Sequence, residues 1–355
     1  MTTLSPVNWK DLDLLAEKLA QPGEGPGGAV ESEWRMIEQA LDTLLCCQDW
    51  EKTILLREMF SFLIIGDTTG GLPIVQRLNG AAIQAAEQIG EVALSARFLH
   101  DEGHNLHRQG YHERAIEAFE RSEELYRQMG EQFHALESFY MPALCHRALG
   151  RRKVAKQILS RVLQQTDEND PWRSNPLHVM AWLEQDEGKL IEAERLLREV
   201  LDIYEKHPDV FGGRGAGTLA DLGEILGLQG RSQEALEAFR QSLAIIAKSS
   251  GLVNRNETRT KLKIAELLAR SGEYDYALRL LDEADNAIRG YGHYYDLMWR
   301  IELVRAFIYW HQHRFEGAFR KLRRVLGYRR RLGLSNAALA EQLVDRLRMG
   351  IGLPR

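Results

Sequence analysis

The chain has 355 residues, a formal net charge of −5, 44% hydrophobic residues and 27% charged ones. Those proportions belong to a folded chain and exclude extensive disorder, while the acid excess argues against a general nucleic-acid binder, which presents a basic face to phosphate. Three cysteines, two of them adjacent, exclude a disulfide framework and a spaced zinc or redox motif, so Cys46, Cys47 and Cys145 read as buried thiols in a reducing cytoplasm.

The first residues, MTTLSPVNWKDLDLL, lack a basic flank followed by an apolar run, so no signal peptide is read. Uninterrupted apolar runs such as Val179 to Leu183 and Ala306 to Trp310 fall far short of the roughly 20 residues that cross a bilayer, and no membrane partner is expected. Residues 1–21 hold a short amphipathic helix, with Leu12, Leu14, Leu15 and Leu19 on or near one face; it caps the neighbouring helices or docks elsewhere. A Gly/Pro linker follows at 22–30, where PGEGPGG is a flexible connector. Residues 31–90 read as three helices, about 31–47, 50–65 and 73–89. The GDTTGG turn at 66–71 has no Lys and no strand before it, so it is a loop and not a phosphate cradle.

From residue 91 to 332 one figure recurs six times. An Ala stands five residues after a turn, a bulky apolar residue four later and a small or β-branched one three beyond that. The copies are Gly110/Ala115/Phe119/Ser122, Gly150/Ala155/Leu159/Val162, Gly188/Ala193/Leu197/Val200, Gly230/Ala235/Phe239/Ser242, Gly272/Ala277/Leu281/Ala284 and His313/Ala318/Leu322/Val325. The turn positions are 40, 38, 42, 42 and 41 residues apart, the period of helical solenoids. Gly at the turn supplies the left-handed or otherwise unusual conformation that ends the first helix in five copies, His313 replaces it in the sixth, and the small residue lets the paired helices approach. Pro142 falls inside the first helix of the second copy and is expected to kink or delay it. Residues 333–355 read as a capping helix, near 335–349, and a tail.

The string GYHERAIEAFERSEELY from Gly110 to Tyr126, with Gly103 and Leu106 before it, resembles a tetratricopeptide repeat, and GRSQEALEAF and GEYDYALRLL are similar. The resemblance implies an all-α fold, a right-handed superhelical α-solenoid of antiparallel helix pairs. Its long period resembles that of the sensor arrays of STAND-type signalling ATPases and of peptide-responsive bacterial regulators. CCQDWEKTILLREMFSFLIIGD, followed by AAIQAAEQIGE, is similar to the opening of a STAND array, but no GxxxxGK[ST] loop supplies the ATPase.

In such arrays the first helix of each pair lines the concave wall. The repeat register places Arg97, His100, His104, His107 and Arg108 there, then Glu137, Tyr140, Leu144 and Arg147, then His178, Trp182, Gln185 and Asp186. The fourth copy adds little beyond Glu224, and the last two add Arg259, Glu266, Arg270, Arg300, Phe307, Trp310 and His311. Aromatic anchors beside guanidinium groups suit an extended peptide or a helix with acidic and apolar side chains; Trp182 and Trp310 read equally as core aromatics packed between helices. His100, His104 and His107 share one helical face, yet no H-E-x-x-H pattern accompanies them, so no metal and no cofactor are expected and the stripe reads as polar or pH-sensitive. A basic run, Arg320, Lys321, Arg323, Arg324, Arg329, Arg330 and Arg331, is either a solvated helix face or a docking patch for an acidic segment or nucleic acid.

No catalytic constellation emerges. The sequence therefore points to a non-enzymatic, cytoplasmic interaction scaffold or adaptor that binds a protein or peptide on its concave face, as a recognition or regulatory subunit of a multi-protein complex. The alternatives are a peptide-responsive signalling regulator and a nucleic-acid-associated subunit using the basic helix.

Overall fold

The computed structural model describes residues 7–20, 31–65, 73–168, 170–208, 215–248, 255–289 and 295–331. The 22–28 connector, the 66–71 turn and the expected helix at 335–349 lie outside the described residues. Helices alone make up the regular structure there. The described residues form two compact units, which divide between Ile158 and Leu159.

The first unit opens with α1 (Trp9–Ala20), α2 (Glu31–Cys46), α3 (Trp50–Met59), α4 (Ser61–Ile65) and α5 (Pro73–Ile89). Helix α1 lays Leu12, Leu15 and Leu19 into a core with Ile37, Leu41, Leu56, Phe60 and Leu78, and Lys18 pairs with Glu33 at 2.7 Å; Leu14 stays exposed. The segment expected as one helix over 50–65 breaks at Phe60, whose ring is fully buried. Cys46 and Cys47 are exposed rather than buried, Cys46 as the last residue of α2 and Cys47 in the turn that follows. Then follow α6 (Val92–Arg108), α7 (His112–Gln128), α8 (Gln132–Ala148) and α9 (Arg152–Gln165), the last running across the boundary between the units.

The second unit continues with α10 (Ser174–Asp186), α11 (Leu190–Lys206), α12 (Gly215–Leu228), α13 (Ser232–Lys248), α14 (Arg255–Arg270), α15 (Tyr274–Arg289), α16 (Tyr295–His311) and α17 (Phe315–Arg331). One continuous core runs through it, from Leu177 and Ala181 through Phe239 and Leu281 to Val325.

Every intra-pair turn has the same construction. The residue after the glycine donates its N–H five residues back, as from Tyr111 to the Leu106 carbonyl at 2.9 Å and from Glu273 to Leu268 at 2.9 Å, satisfying a helix-end carbonyl. The sixth turn makes the same bond, Arg314 to Tyr309 at 2.8 Å, with His313 held at φ 60° where the others have glycine. Two further turns of this type, at Gly90 and Gly130, join successive pairs in the first unit.

The small-residue positions decide how closely the pairs approach. A Cβ at Gly103 would stand 2.6 Å from the Phe119 ring, and one at Gly223 would stand 2.7 Å from that of Phe239, so Phe fills the groove only because the facing residue is glycine. Ser122 and Ser242 also do more than fit. Each donates its hydroxyl to a carbonyl of the preceding first helix, Ala96 at 2.8 Å and Ala216 at 2.7 Å. Pro142 does not interrupt α8, which runs unbroken from Gln132 to Ala148. It is buried there, and its neighbours in the helix carry the packing against α6 and α7: Met141 and Cys145 join Leu106 and Phe119 in one core.

Candidate functional site

In the second unit, four successive first helices bring polar side chains into one seam. From α10 come His178, Trp182 and Gln185; from α12, Asp221 and Glu224; from α14, Arg259, Lys263 and Glu266; from α16, Arg300. Asp221 is the centre. Its carboxylate accepts from Lys263 Nζ at 2.5 Å, His178 Nε2 at 2.7 Å and Trp182 Nε1 at 3.0 Å. Thr218 Oγ1 lies 3.4 Å from His178 Nδ1. Lys263 also reaches Glu224 at 2.5 Å, Glu224 accepts from Gln185 at 3.2 Å, and Arg300 pairs with Glu266 at 2.9 Å.

Burial alone would raise both carboxyls. For Asp221 the charges of Lys263 and Arg259 and the His178 hydrogen bond outweigh burial and hold it well below the ordinary range; for Glu224 the charges of Lys263 and Arg300 also outweigh burial and lower it. One group in the seam is under-used. Arg259 comes only within 4.0 Å of Asp221, and its Nε is buried without a hydrogen-bond partner. Gly217 on α12 leaves the room it occupies: a Cβ there would lie 3.1 Å from Arg259 Nη2.

Asp221 and Lys263 carry the seam and were not among the sequence candidates, and the fourth copy, expected to add little, supplies its centre. A signal for them exists. Asp221 lies 43 residues after His178 and 42 before Lys263, the repeat period itself. The Trp182 ring lies tilted against His178, 4.7 Å between centroids, and its indole N–H donates to Asp221. Trp310 stands apart, half-buried at the end of α16 with its ring edge-on to Phe315 and Phe319. Arg270 is exposed, whereas Phe307 is buried with its ring 4.4 Å from that of His311.

In the first unit the candidates fall into three groups. Arg97 pairs with Glu58 at 2.7 Å; Glu58 also accepts at 3.0 Å from the wholly buried Arg57, which pairs with Asp101 and lies over the Phe98 ring at 4.2 Å. His100 and His104 form a wedge. Their Nε2 atoms are 3.1 Å apart, His100 Nδ1 meets Ser138 Oγ at 2.9 Å, and both rings stand edge-on to Phe119. Burial, with the charges of His100 and Arg108, takes His104 down to about 3, and burial lowers His100 too. His107 turns elsewhere, to Cys145 Sγ at 3.4 Å and the ring of His112; burial and the charge of His112 take it to about 4. Arg108 bonds Asn105 within its own helix, and Tyr140 and Leu144 pack against the Phe119 core, so they are not free wall residues. Glu137 and Arg147 are half-buried on α8.

Of the basic run, Lys321 and Arg324 reach the buried Glu302 at 3.0 and 3.4 Å, and Arg320 and Arg323 are exposed. Arg329, Arg330 and Arg331 end α17.

Tetratricopeptide-repeat family profiles match residues 96–129, 177–207 and 216–254, which are the pairs α6–α7, α10–α11 and α12–α13. These segments are tetratricopeptide repeats. Solved structures with a similar fold include aspartyl phosphate phosphatase F from Bacillus subtilis (14% identity, 91% of this chain and 82% of that one, TM-score 0.60). NprR in complex with its cognate peptide NprX is similar over 96% of this chain and 97% of its own, at 15% identity and TM-score 0.54. The Rap conjugation gene regulator of plasmid pLS20, in complex with the Phr* peptide, is similar over 97% of both chains, at 13% identity and TM-score 0.53. At such identities the likeness is one of fold. The resemblance to STAND sensor arrays draws no support from these matches, and no curated protein sequence matches the chain significantly. No helix among the described residues is long and apolar enough to cross a membrane.

Proposed function

We propose that this tetratricopeptide-repeat chain is a cytoplasmic, non-catalytic adaptor whose first-helix seam in the second unit takes a peptide or partner helix bearing an acidic side chain. The observation that carries this is Arg259, a guanidinium in the space that Gly217 leaves, 4.0 Å from Asp221 and with an unpartnered Nε, while Trp182 binds the same Asp221. A ligand carboxylate there gains a charge-assisted hydrogen bond without breaking the tighter Lys263 pairs. Fold neighbours solved with bound peptides, NprR with NprX and the pLS20 Rap protein with Phr*, support the reading by analogy. A phosphatase among the neighbours means the fold leaves catalysis open. The seam argues against it, because carboxyls held ionised by fixed cations are poor proton donors and bases near neutrality.

The test is fluorescence anisotropy of full-length protein against a library of acidic and apolar peptides. Bound peptides are expected to lose about tenfold or more in affinity with Arg259→Gln, the size of one charge-assisted bond, and to be indifferent to Arg320→Glu/Arg323→Glu. Peptides that bind both proteins equally would remove the seam from consideration. Loss confined to the Arg320/Arg323 variant would favour the basic helix, and there a steep fall with salt would mark a phosphate-backbone ligand.

A further inference from the structure

The turn at Gly110 folds α7 back along α6 and brings His112 against His107, their ring centroids 5.0 Å apart. The last turn of α8 sets Cys145 beside them. One nitrogen of each imidazole and the Cys145 sulfur all lie within 4.8 Å of one another, and His107 Nδ1 is already 3.4 Å from that sulfur. Tetrahedral zinc, with bonds of about 2.0–2.1 Å to nitrogen and 2.3 Å to sulfur, puts its ligands roughly 3.3–3.6 Å apart. The His107–Cys145 edge has that length, and a rotation of the His112 ring at the start of α7 closes the rest. His112 Nδ1 is buried and has no hydrogen-bond partner, the condition of a polar atom whose partner is an ion or a water.

We infer that His107, His112 and Cys145 form a three-ligand site for a soft divalent ion, zinc by donor set, with a water in the fourth position. Two imidazoles and a thiolate select such an ion over magnesium or calcium. The sequence concealed the site because its three ligands come from three helices and the histidine stripe of α6 drew attention to His100 and His104 instead. Binding transfers the Cys145 thiol proton to solvent as the sulfur–metal bond forms. Arg108 and Arg147 act on His107, and Glu113 acts on His112 and Cys145, so the thiolate's own charge is the main compensation for the ion. A bound ion would pin α6, α7 and α8 together, which makes it a clamp between the first and second repeats.

The test uses the full chain with Cys46→Ala and Cys47→Ala, which removes the two exposed thiols. Cobalt(II) is titrated in and the thiolate-to-cobalt charge-transfer band is followed, with zinc as competitor. A saturable band at one equivalent, erased by zinc and by Cys145→Ser, is expected. His112→Ala, at the half-buried start of α7, should weaken cobalt binding by at least about tenfold, while His134→Ala on the outer part of α8 leaves it unchanged. Absence of the band, its survival in Cys145→Ser, or undiminished affinity in a folded His112→Ala protein would overturn the assignment.

Discussion

Replacing Lys263 by Met tests whether the seam is an electrostatic unit. The ammonium is 5% exposed and stands 2.5 Å from both Asp221 and Glu224, themselves 6% and 21% exposed. Met keeps the volume and removes the charge. Two carboxylates then remain in the seam, with Arg259 4.0 Å from Asp221 and the His178 hydrogen bond as the nearest relief. Breaking a buried pair from one side costs about 3–5 kcal/mol. The remaining hydrogen bonds from His178, Trp182 and Gln185 place this case at the lower end. The loss must depend on pH. Without Lys263, burial dominates and the folded carboxyls rise above their unfolded values, so their contribution survives in acid and is lost as pH rises. The deficit against wild type therefore widens from pH 4.5 to pH 7.5. Asp221→Asn in the same chain removes one of the two charges and recovers part of the loss, with a coupling of about 2 kcal/mol. Urea denaturation at several pH values, with hydrogen exchange on α12 and α14 because repeat arrays open locally, reads both quantities. A loss below about 1 kcal/mol, or one that does not change with pH, would refute the electrostatic account.

Acid should loosen the first unit before the carboxylates protonate. His104 and His100 have folded values below the 6.5 of the free imidazole, so the unfolded chain takes up protons first as pH falls below 6.5 and stability present above that value is lost. The slope is about 1.4 kcal/mol per pH unit for a fully shielded imidazole; these rings are half-buried, so a loss of about 2 kcal/mol between pH 6.5 and 5 is expected. Denaturation midpoints at the two pH values check it, and His104→Gln should flatten the dependence. At the sixth turn, His313→Gly relieves a left-handed non-glycine residue and should stabilise the second unit by about 0.5–1 kcal/mol; a lower thermal midpoint would mean that the ring contact with Phe315, 5.9 Å between centroids, outweighs the strain.

The repeat figure made the fold legible because it encodes close approach. Ala115 and Ala235 are fully buried, and the Gly103–Phe119 and Gly223–Phe239 contacts leave no space for a larger residue. The turns at Gly90 and Gly130 escaped because the 40-residue spacing was counted between pairs only. In the first unit the same turn recurs every 20 residues, at Gly90, Gly110, Gly130 and Gly150. The candidate site was legible by register and obscure by partner. His178, Trp182, Gln185, Arg259 and Arg300 were named from the helix face they occupy, but a face says nothing of which charge on the next helix meets it. Lys321 shows the same limit: a basic run reads as free charge until a buried Glu302 is found beneath it.

The long repeat has a consequence for the seam. A standard 34-residue repeat leaves about 14 residues for each helix once the turns are set aside, whereas α6, α8 and α16 have 17 residues each and α14 has 16. Counted back from their turns, Arg97, Arg259 and Arg300 all stand 13 residues before Gly110, Gly272 and His313. In a shorter helix that position would be the frayed first residue. Here it lies within the hydrogen-bonded helix, and in each case the arginine faces an acid on an earlier helix: Glu58, Asp221 and Glu266. The fourth copy has Gly217 at this position, and there the space goes to Arg259 from the next repeat. The extra helical turn thus places a guanidinium within the helix at this position of α6, of α14 and of α16. Of these three, Arg259 has the longest pairing, which is why a ligand carboxylate is expected there and not at Arg97 or Arg300.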